Sequence, residues 1–177
     1  MSMDATSRLT RLRARFSLLD ANGDGQLQAD DFDLLADRVL NAVKADPAKA
    51  HALREGCRAY WQGLAADTDR DGDRVVTFEE YAAAIPDAVH FDQYGSPYAH
   101  ALAAVADPDD DGEVERADFV ACMTAIGFAP PQVAQLFAEL AGDNDRVATR
   151  DWAAAIRDYY VSASADIPGQ LLAPRSA

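Results

Sequence analysis

Three short segments of the chain carry oxygen-bearing side chains at alternate positions, which is the arrangement that a hard divalent cation requires. They are residues 20–31, 69–80 and 107–118, and together they hold a net charge of −13 out of the −14 of the whole 177-residue chain. Crowded carboxylates repel one another unless they share a cation. A calcium ion accepts about six to eight oxygen ligands at ~2.3–2.6 Å, so each segment has the chemistry of a calcium site.

The three segments, here called loops one, two and three, follow the twelve-residue pattern of an EF-hand loop. Oxygen ligands occupy positions 1, 3 and 5, an aliphatic residue occupies position 8, and a carboxylate occupies position 12. One such match arises by chance in an acidic chain, whereas three matches predict three calcium sites. The alternative for each loop is an acidic surface segment that binds no metal.

Loop two departs from the pattern at position 6, where the backbone turns with a positive φ and glycine is normally needed. Gly25 and Gly112 meet this need in the other loops, but loop two has Arg74. A side chain in that region costs roughly 1–2 kcal/mol, or about tenfold in affinity. Because loop two keeps carboxylates at positions 1, 3, 5 and 12, we predict that it binds calcium with Arg74 strained or its backbone adjusted.

The elements that must position these loops are helices, because apolar residues on either side recur at three- and four-residue spacing. Pro47 is expected to open the helix before loop two, and Thr77 with Glu80 reads as a capping box after it. Residues 87–94 are expected to form a short helix broken at 95–97, before a helix from about Pro97 to Ala106. The buried stripes are Leu9, Leu12, Phe16 and Leu19; Phe32, Leu35, Val39 and Val43; Leu53, Cys57, Trp61 and Leu64; and Phe119, Cys122, Met123 and Ile126.

A fourth unit follows, with helical stripes on both sides of residues 140–151, here called loop four. Placing Val147 at position 8 puts Leu140 at position 1 and Gly142 at position 3, so two ligand positions are lost. We predict a fourth EF-hand that keeps its helices and holds calcium poorly, with a distorted site at Asp143 and Asp145 as the alternative. The position-8 residues are expected to join the loops in antiparallel pairs, Leu27 with Val76 and Val114 with Val147.

The chain as a whole resembles the four-EF-hand sarcoplasmic calcium-binding proteins and their bacterial relative calerythrin. The resemblance rests on the loops, on the long span from Asp20 to Asp69, and on the closing segment RDYYVSASADIPGQLL. It implies an all-α EF-hand fold with one pair of units at 1–94, a second at 95–162, and a tail at 163–177 that packs on the two touching lobes. In those relatives the second loop is often the degenerate one, whereas here it is the fourth.

The resemblance also implies the calcium ligands, carried over position by position. Position 7 acts through its backbone carbonyl, and Gln28, Thr77 and Glu115 lie at position 9. The expected ligands are Asp20, Asn22, Asp24, Gln26 and Asp31 in loop one; Asp69, Asp71, Asp73, Val75 and Glu80 in loop two; and Asp107, Asp109, Asp111, Glu113 and Asp118 in loop three.

The position-12 residue predicts a difference in metal preference between the loops. Glu80 closes loop two, but the shorter Asp31 and Asp118 close loops one and three. An aspartate that reaches the ion through one oxygen favours six-fold coordination, which suits magnesium. We therefore expect Mg²⁺ to compete at 20–31 and 107–118, and loop two to be the most selective for Ca²⁺.

Composition excludes several other classes of protein. The acidic charge argues against unaided binding to nucleic acid or to an anionic membrane, and no apolar run is long enough to span a bilayer. Cys57 and Cys122 lie in apolar helical patterns and are expected to be reduced core residues. With no secretory signal visible, the cytoplasm is the expected compartment. The histidines His51, His90 and His100 lack the spacing of metal ligands.

The leading function is therefore a cytosolic calcium buffer or transporter, monomeric, with three working EF-hands. The alternative is a calcium sensor that exposes an apolar groove to a partner protein. Adaptable grooves tend to be rich in methionine, and this chain has only three. No nucleophile with a base, phosphate-binding loop or cysteine–histidine cluster is visible, so we expect no enzyme activity.

Overall fold

Helices make up most of the chain in the computed structural model, which describes residues 2–84 and 88–161. The expected all-α class is confirmed. Pro86 and the tail at 163–177 lie outside the described residues. None of the described helices is both long and apolar enough to cross a membrane. The helices are α1 (Ser2–Leu19), α2 (Ala29–Ala42), α3 (Pro47–Thr68), α4 (Phe78–Ala84), α5 (Ala88–His90), α6 (Ser96–Val105), α7 (Arg116–Ile126), α8 (Pro130–Ala141) and α9 (Thr149–Val161), and a π-helical turn occupies Phe91–Gly95.

Short strands inside the loops join the four helix-loop-helix units in pairs. Strand β1 (Gln26–Leu27) pairs with β2 (Val76–Thr77), and β3 (Glu113–Glu115) pairs with β4 (Arg146–Ala148), both antiparallel. Leu27 lies opposite Val76, and Val114 lies opposite Val147, as the position-8 alignment predicts. All four side chains are buried. The alignment of loop four is thereby confirmed, because a shift of one residue would turn Val147 away from the core.

Local capping interactions set three of the helix boundaries. Asp46 caps α3 by accepting a hydrogen bond from the Lys49 amide at 2.9 Å, with Pro47 as the first helical residue. Thr77 and Glu80 form the expected capping box: the Thr77 amide nitrogen lies 3.1 Å from Glu80 Oε1, and the Glu80 amide nitrogen lies 3.2 Å from Thr77 Oγ1. Gly127 ends α7 with a φ of 127°, and its amide bonds the Met123 carbonyl.

The apolar faces of the helices meet in one hydrophobic core that draws on all four units. Most of the predicted stripe residues are buried, with two differences. Leu9 is 53% exposed, one turn before the stripe of α1 reaches the core. On α3 the buried aromatic is Tyr60, while Trp61 is half-buried and packs against Phe32 with ring centroids 5.5 Å apart.

The predicted break at residues 95–97 is wrong, because the chain passes from α5 to α6 through a π-helical turn. The Ser96 amide bonds the Phe91 carbonyl, five residues back, so the helix widens without ending. Pro97 has no N–H to donate and is the second residue of α6, directly after the π-helical turn. Gly95 is needed because a Cβ there would lie 2.5 Å from the Phe91 ring.

Helices α3 and α6, which enter loops two and three, share the most extensive contact between described elements. A glycine on α3 allows close approach to α6, and a second glycine allows close approach to the π-helical turn that precedes it. A Cβ at Gly56 would lie 3.0 Å from the Tyr98 Cα, and one at Gly63 would overlap the Tyr94 ring. The helix entering loop two is therefore packed directly against the segment that leads into loop three.

Candidate metal centres

The position-1 carboxylate of each loop accepts a backbone hydrogen bond that closes the loop. In loop one, Asp20 Oδ2 accepts the Gly25 amide at 2.8 Å, and in loop two Asp69 Oδ2 accepts the Arg74 amide at 2.8 Å. In loop three, Asp107 Oδ2 accepts the amide of Gly112 at 2.9 Å. The same bond, from position 6 to position 1, closes all three turns.

The position-5 carboxylate makes a second bond that recurs in the three loops. Asp24, Asp73 and Asp111 each accept, through Oδ1, the amide of the residue two positions later, at 3.0, 2.9 and 2.9 Å. These amides belong to the position-7 residues, whose carbonyls are the expected ligands. At position 3, Asn22 and Asp71 accept the position-5 amides at 3.1 and 3.2 Å.

These turns bring carboxylate oxygens together at a spacing that fits one ion. One oxygen from each of three aspartates lies within 4.8 Å of the others, and this holds in each loop. Two ligands on opposite sides of a calcium ion would be about 5 Å apart, since each bond is ~2.3–2.6 Å long. An all-oxygen donor set at this spacing suits a hard cation. The groups are Asp20, Asp24 and Asp31; Asp69, Asp71 and Asp73; and Asp107, Asp109 and Asp111.

The position-12 carboxylates reach back to the loop differently. Asp31 accepts the amides of Asn22 at 3.1 Å and Gln28 at 2.8 Å, whereas the longer Glu80 accepts those of Arg70 at 2.8 Å and Thr77 at 3.1 Å. The glutamate thus reaches one residue nearer the start of the loop. In loop three that position is Pro108, which has no N–H, so the bond made by Glu80 is impossible there.

Backbone strain occurs at two non-glycine residues in the loops. Arg74 has a φ of 62°, against 84° and 81° at the equivalent Gly25 and Gly112. The strained alternative predicted for Arg74 is therefore confirmed. Asp110 has a φ of 57° at position 4, where loops one and two have glycines. The sequence carried this second signal, but the EF-hand pattern draws attention to position 6 alone.

Burial and mutual repulsion raise the pKa of two loop-one carboxyls. For Asp31, burial is the main cause and the charges of Asp20 and Asp24 add to it; for Asp20, burial again leads, followed by Asp24 among the charges. The pKa of Glu80 is lowered by hydrogen bonds from the Thr77 and Arg70 amides. Loop one therefore holds ionised carboxylates at an electrostatic cost that a bound cation would relieve.

Two basic side chains from other elements approach loop three. Lys49, near the start of α3, places its Nζ 2.6 Å from the Asp107 carbonyl and 2.7 Å from Asp110 Oδ1, with 14% of its side chain exposed. Arg146, in β4, places its Nη1 3.2 Å from Asp111 Oδ2. Sequence reasoning missed both, because each contact joins segments more than 30 residues apart.

Loop four is joined to loop three by backbone hydrogen bonds. The Thr149 amide donates a hydrogen bond to the Gly112 carbonyl at 3.0 Å, beside the β3–β4 ladder. Leu140, at position 1, is still in α8. In the part of the chain that the structure describes, the acidic groups close enough to share an ion do not include Asp143, Asp145 or Asp151.

Comparison with known proteins gives close matches over nearly the whole chain. A calcium-binding protein of Streptomyces coelicolor, described as acting in prokaryotic calcium-mediated regulation, is 33% identical; the match covers 86% of this chain and 97% of that one, with a TM-score of 0.76. Calerythrin of Saccharopolyspora erythraea is 23% identical over 159 residues, covering 85% of this chain and 90% of calerythrin. No family model matches the chain.

The fold extends to more distant proteins. A sarcoplasmic calcium-binding protein from amphioxus is 19% identical with a TM-score of 0.70, and the match covers 93% of this chain and 95% of that one. Calcium-loaded apo-aequorin from Aequorea victoria is 15% identical with a TM-score of 0.69, covering 89% and 92%. At this level of identity the likeness concerns the fold alone.

Proposed function

Since this chain belongs to the calerythrin-like family of EF-hand calcium-binding proteins, we propose that it is a calcium buffer or transporter that binds one ion in each of loops one, two and three. One observation carries the proposal: in each loop three carboxylate oxygens lie within 4.8 Å of one another. The proposed ligands are the fifteen residues that the EF-hand pattern selects. We also propose that each strand ladder marks one EF-hand pair, residues 1–94 and 95–162.

Calorimetric titration with calcium tests the stoichiometry. We expect three equivalents for the unchanged protein and two for each of the variants Asp20→Ala, Asp69→Ala and Asp107→Ala, because the position-1 carboxylate both ligates the ion and closes the turn. Asp143→Ala, in loop four, is the matched control and should keep three equivalents. A fourth equivalent that Asp143→Ala removes would overturn the assignment of loop four.

We propose that magnesium competes in loops one and three and that loop two is the most selective for calcium. The hydrogen bonds of the position-12 residues support this difference in selectivity. Asp31 bonds the position-3 amide, whereas the longer Glu80 reaches the position-2 amide. Titration of Asp31→Ala, Glu80→Ala and Asp118→Ala with calcium in excess magnesium tests it. In Glu80→Ala only loops one and three still bind calcium, so excess magnesium should lower the apparent calcium affinity more in this variant than in Asp31→Ala or Asp118→Ala. An equal decrease in all three variants would contradict the proposal.

The buffer role is supported by the single core, which leaves little apolar surface for a partner. Among the side chains that the structure describes, the large hydrophobic ones that are exposed are Leu9 and Val89. The second candidate is a calcium sensor, favoured by the Streptomyces coelicolor relative that is described in terms of calcium-mediated regulation. Binding of a hydrophobic dye separates the two, because calcium should increase its fluorescence strongly only for a sensor.

We propose a non-catalytic monomer in the cytoplasm that binds neither nucleic acid nor membranes, with a partner protein only if it is a sensor. The calcium-binding relatives support the non-catalytic role. Cys57 and Cys122 are buried free thiols, which agrees with a reducing compartment. Light scattering of the calcium-loaded protein tests the monomeric state.

A further inference from the structure

Arg146 of loop four faces three acidic side chains of loop three. Its Nη1 lies 3.2 Å from Asp111 Oδ2 and 3.7 Å from Glu113 Oε2, and its Nη2 lies 3.6 Å from Glu115 Oε1. Slightly less than half of the arginine side chain is exposed. Arg146 occupies position 7 of loop four, where an EF-hand uses the carbonyl and leaves the side chain free.

The backbone fixes this placement. Arg146 is the direct cross-strand partner of Glu115 at one end of the β3–β4 ladder, and the Thr149 amide bonds the Gly112 carbonyl at the other end. The ladder is anchored by Val114 and Val147, which are both buried. The strand register therefore fixes the backbone position from which the Arg146 side chain reaches the acidic residues of loop three.

Asp111 connects this ion pair to the proposed calcium site. Its Oδ1 accepts the Glu113 amide at 2.9 Å, and its Oδ2 accepts a hydrogen bond from Arg146. An ion bound by Asp111 would share that carboxylate with a fixed positive charge. Without an ion, the same charge offsets part of the repulsion in residues 107–118, which hold seven acids and one base.

We propose that Arg146 is a built-in counter-cation that weakens calcium binding at loop three and stabilises the ion-free form of that loop. The proposal rests on the calcium site proposed above for loop three. Loop four lacks the ligands to bind an ion of its own, and its Arg146 instead lowers the calcium affinity of loop three. Loop three would then release calcium at a higher free concentration than its carboxylates alone would allow.

The test is the variant Arg146→Gln, measured by calcium calorimetry and by melting in chelator. We expect the affinity of the equivalent that Asp107→Ala abolishes to rise about fivefold to tenfold, and the melting temperature in chelator to fall. The gain should shrink at high salt, because exposed charges are screened. Arg116→Gln is the matched control: it removes the same charge within loop three, where the guanidinium lies over the Phe137 ring at 4.5 Å, and should leave the affinity nearly unchanged.

The opposite directions of the two effects make the proposal testable. A merely structural ion pair would lower both the calcium affinity and the melting temperature in Arg146→Gln, and that result would overturn the proposal while leaving the calcium site intact. If Asp107→Ala removes no equivalent, the proposed site in loop three fails and the counter-cation role fails with it. Arg146→Lys, which keeps the charge, should behave like the unchanged protein.

Discussion

At the scale of single residues, Arg74 shows what the loop geometry demands of its position 6. Its amide donates to Asp69 in the same way as glycine amides do in the other loops, and its φ of 62° is the consequence. The turn is therefore imposed by the position-1 carboxylate and the loop length rather than by the preference of the residue. Asp110 has a φ of 57° as well, but its amide donates to the Asp107 backbone carbonyl, and Lys49 is bonded to its carboxylate.

The variant Arg74→Gly tests whether the backbone strain at position 6 lowers the calcium affinity of loop two. We expect its loop-two calcium affinity to exceed that of Arg74→Ala by up to about tenfold, since only the glycine variant removes the Cβ from the left-handed region. Both variants remove the same charge, so the comparison isolates the backbone. Equal affinities in calorimetry would mean that the ion-free loop already holds the strained conformation.

The two cysteines yield a second prediction at this scale. Burial raises the pKa of both Cys57 and Cys122 to about 12. The thiolate is the reactive form, so neither thiol should react with Ellman's reagent at pH 8 in the calcium-loaded protein, and both should react in guanidinium chloride. Cys57→Ala should leave one thiol under denaturing conditions. A thiol that reacts within seconds in native buffer would contradict the burial of that side chain.

At the scale of elements, the sequence predicts the features that recur in each helix-loop-helix unit, but not the contacts that occur at a single place in the fold. The loops, the stripes such as Phe32, Leu35 and Val39, and the pairing of Val114 with Val147 follow from spacing, because the same unit recurs four times. The continuous helix through Phe91–Gly95 and the contact at Gly63 do not follow from spacing. They depend on which side chain another part of the fold places against a glycine.

Gly63→Ala tests the close contact between α3 and the π-helical turn. A methyl group there would overlap the Tyr94 ring, and such overpacking costs about 1–3 kcal/mol, against a gain of about 1 kcal/mol in helix propensity. We expect a net loss of up to about 2 kcal/mol in the free energy of unfolding, measured in denaturant with calcium present. The exposed neighbour Gln62 provides the control, since Gln62→Ala should be nearly neutral.

At the scale of the whole molecule, the stability of the fold should depend on the cations that it binds. Three loops carry almost all of the net charge, and one core joins all four units. Each site adds about 4 kcal/mol at a thousandfold excess of calcium over its Kd. We expect calcium to raise the melting temperature by more than about 20 °C relative to chelator.

Scanning calorimetry at constant ionic strength checks this dependence on calcium. Sodium chloride at equal ionic strength is the control, because it screens the loop charges without ligating them. The variants that lose a position-1 aspartate should each lose part of the shift. Identical melting curves in calcium and in chelator would contradict the proposed sites altogether.

Helix α3 connects loop two to loop three. Asp69 of loop two follows its last turn directly, while Lys49, in its first turn, bonds the Asp107 carbonyl and the Asp110 carboxylate of loop three. At ~1.5 Å per residue these ends are about 30 Å apart, several times the Debye length of ~8 Å in the cell. Cations at the two ends would hardly sense each other's field, so any cooperation between them has to act through packing, and α3 provides one direct connection between the two loops.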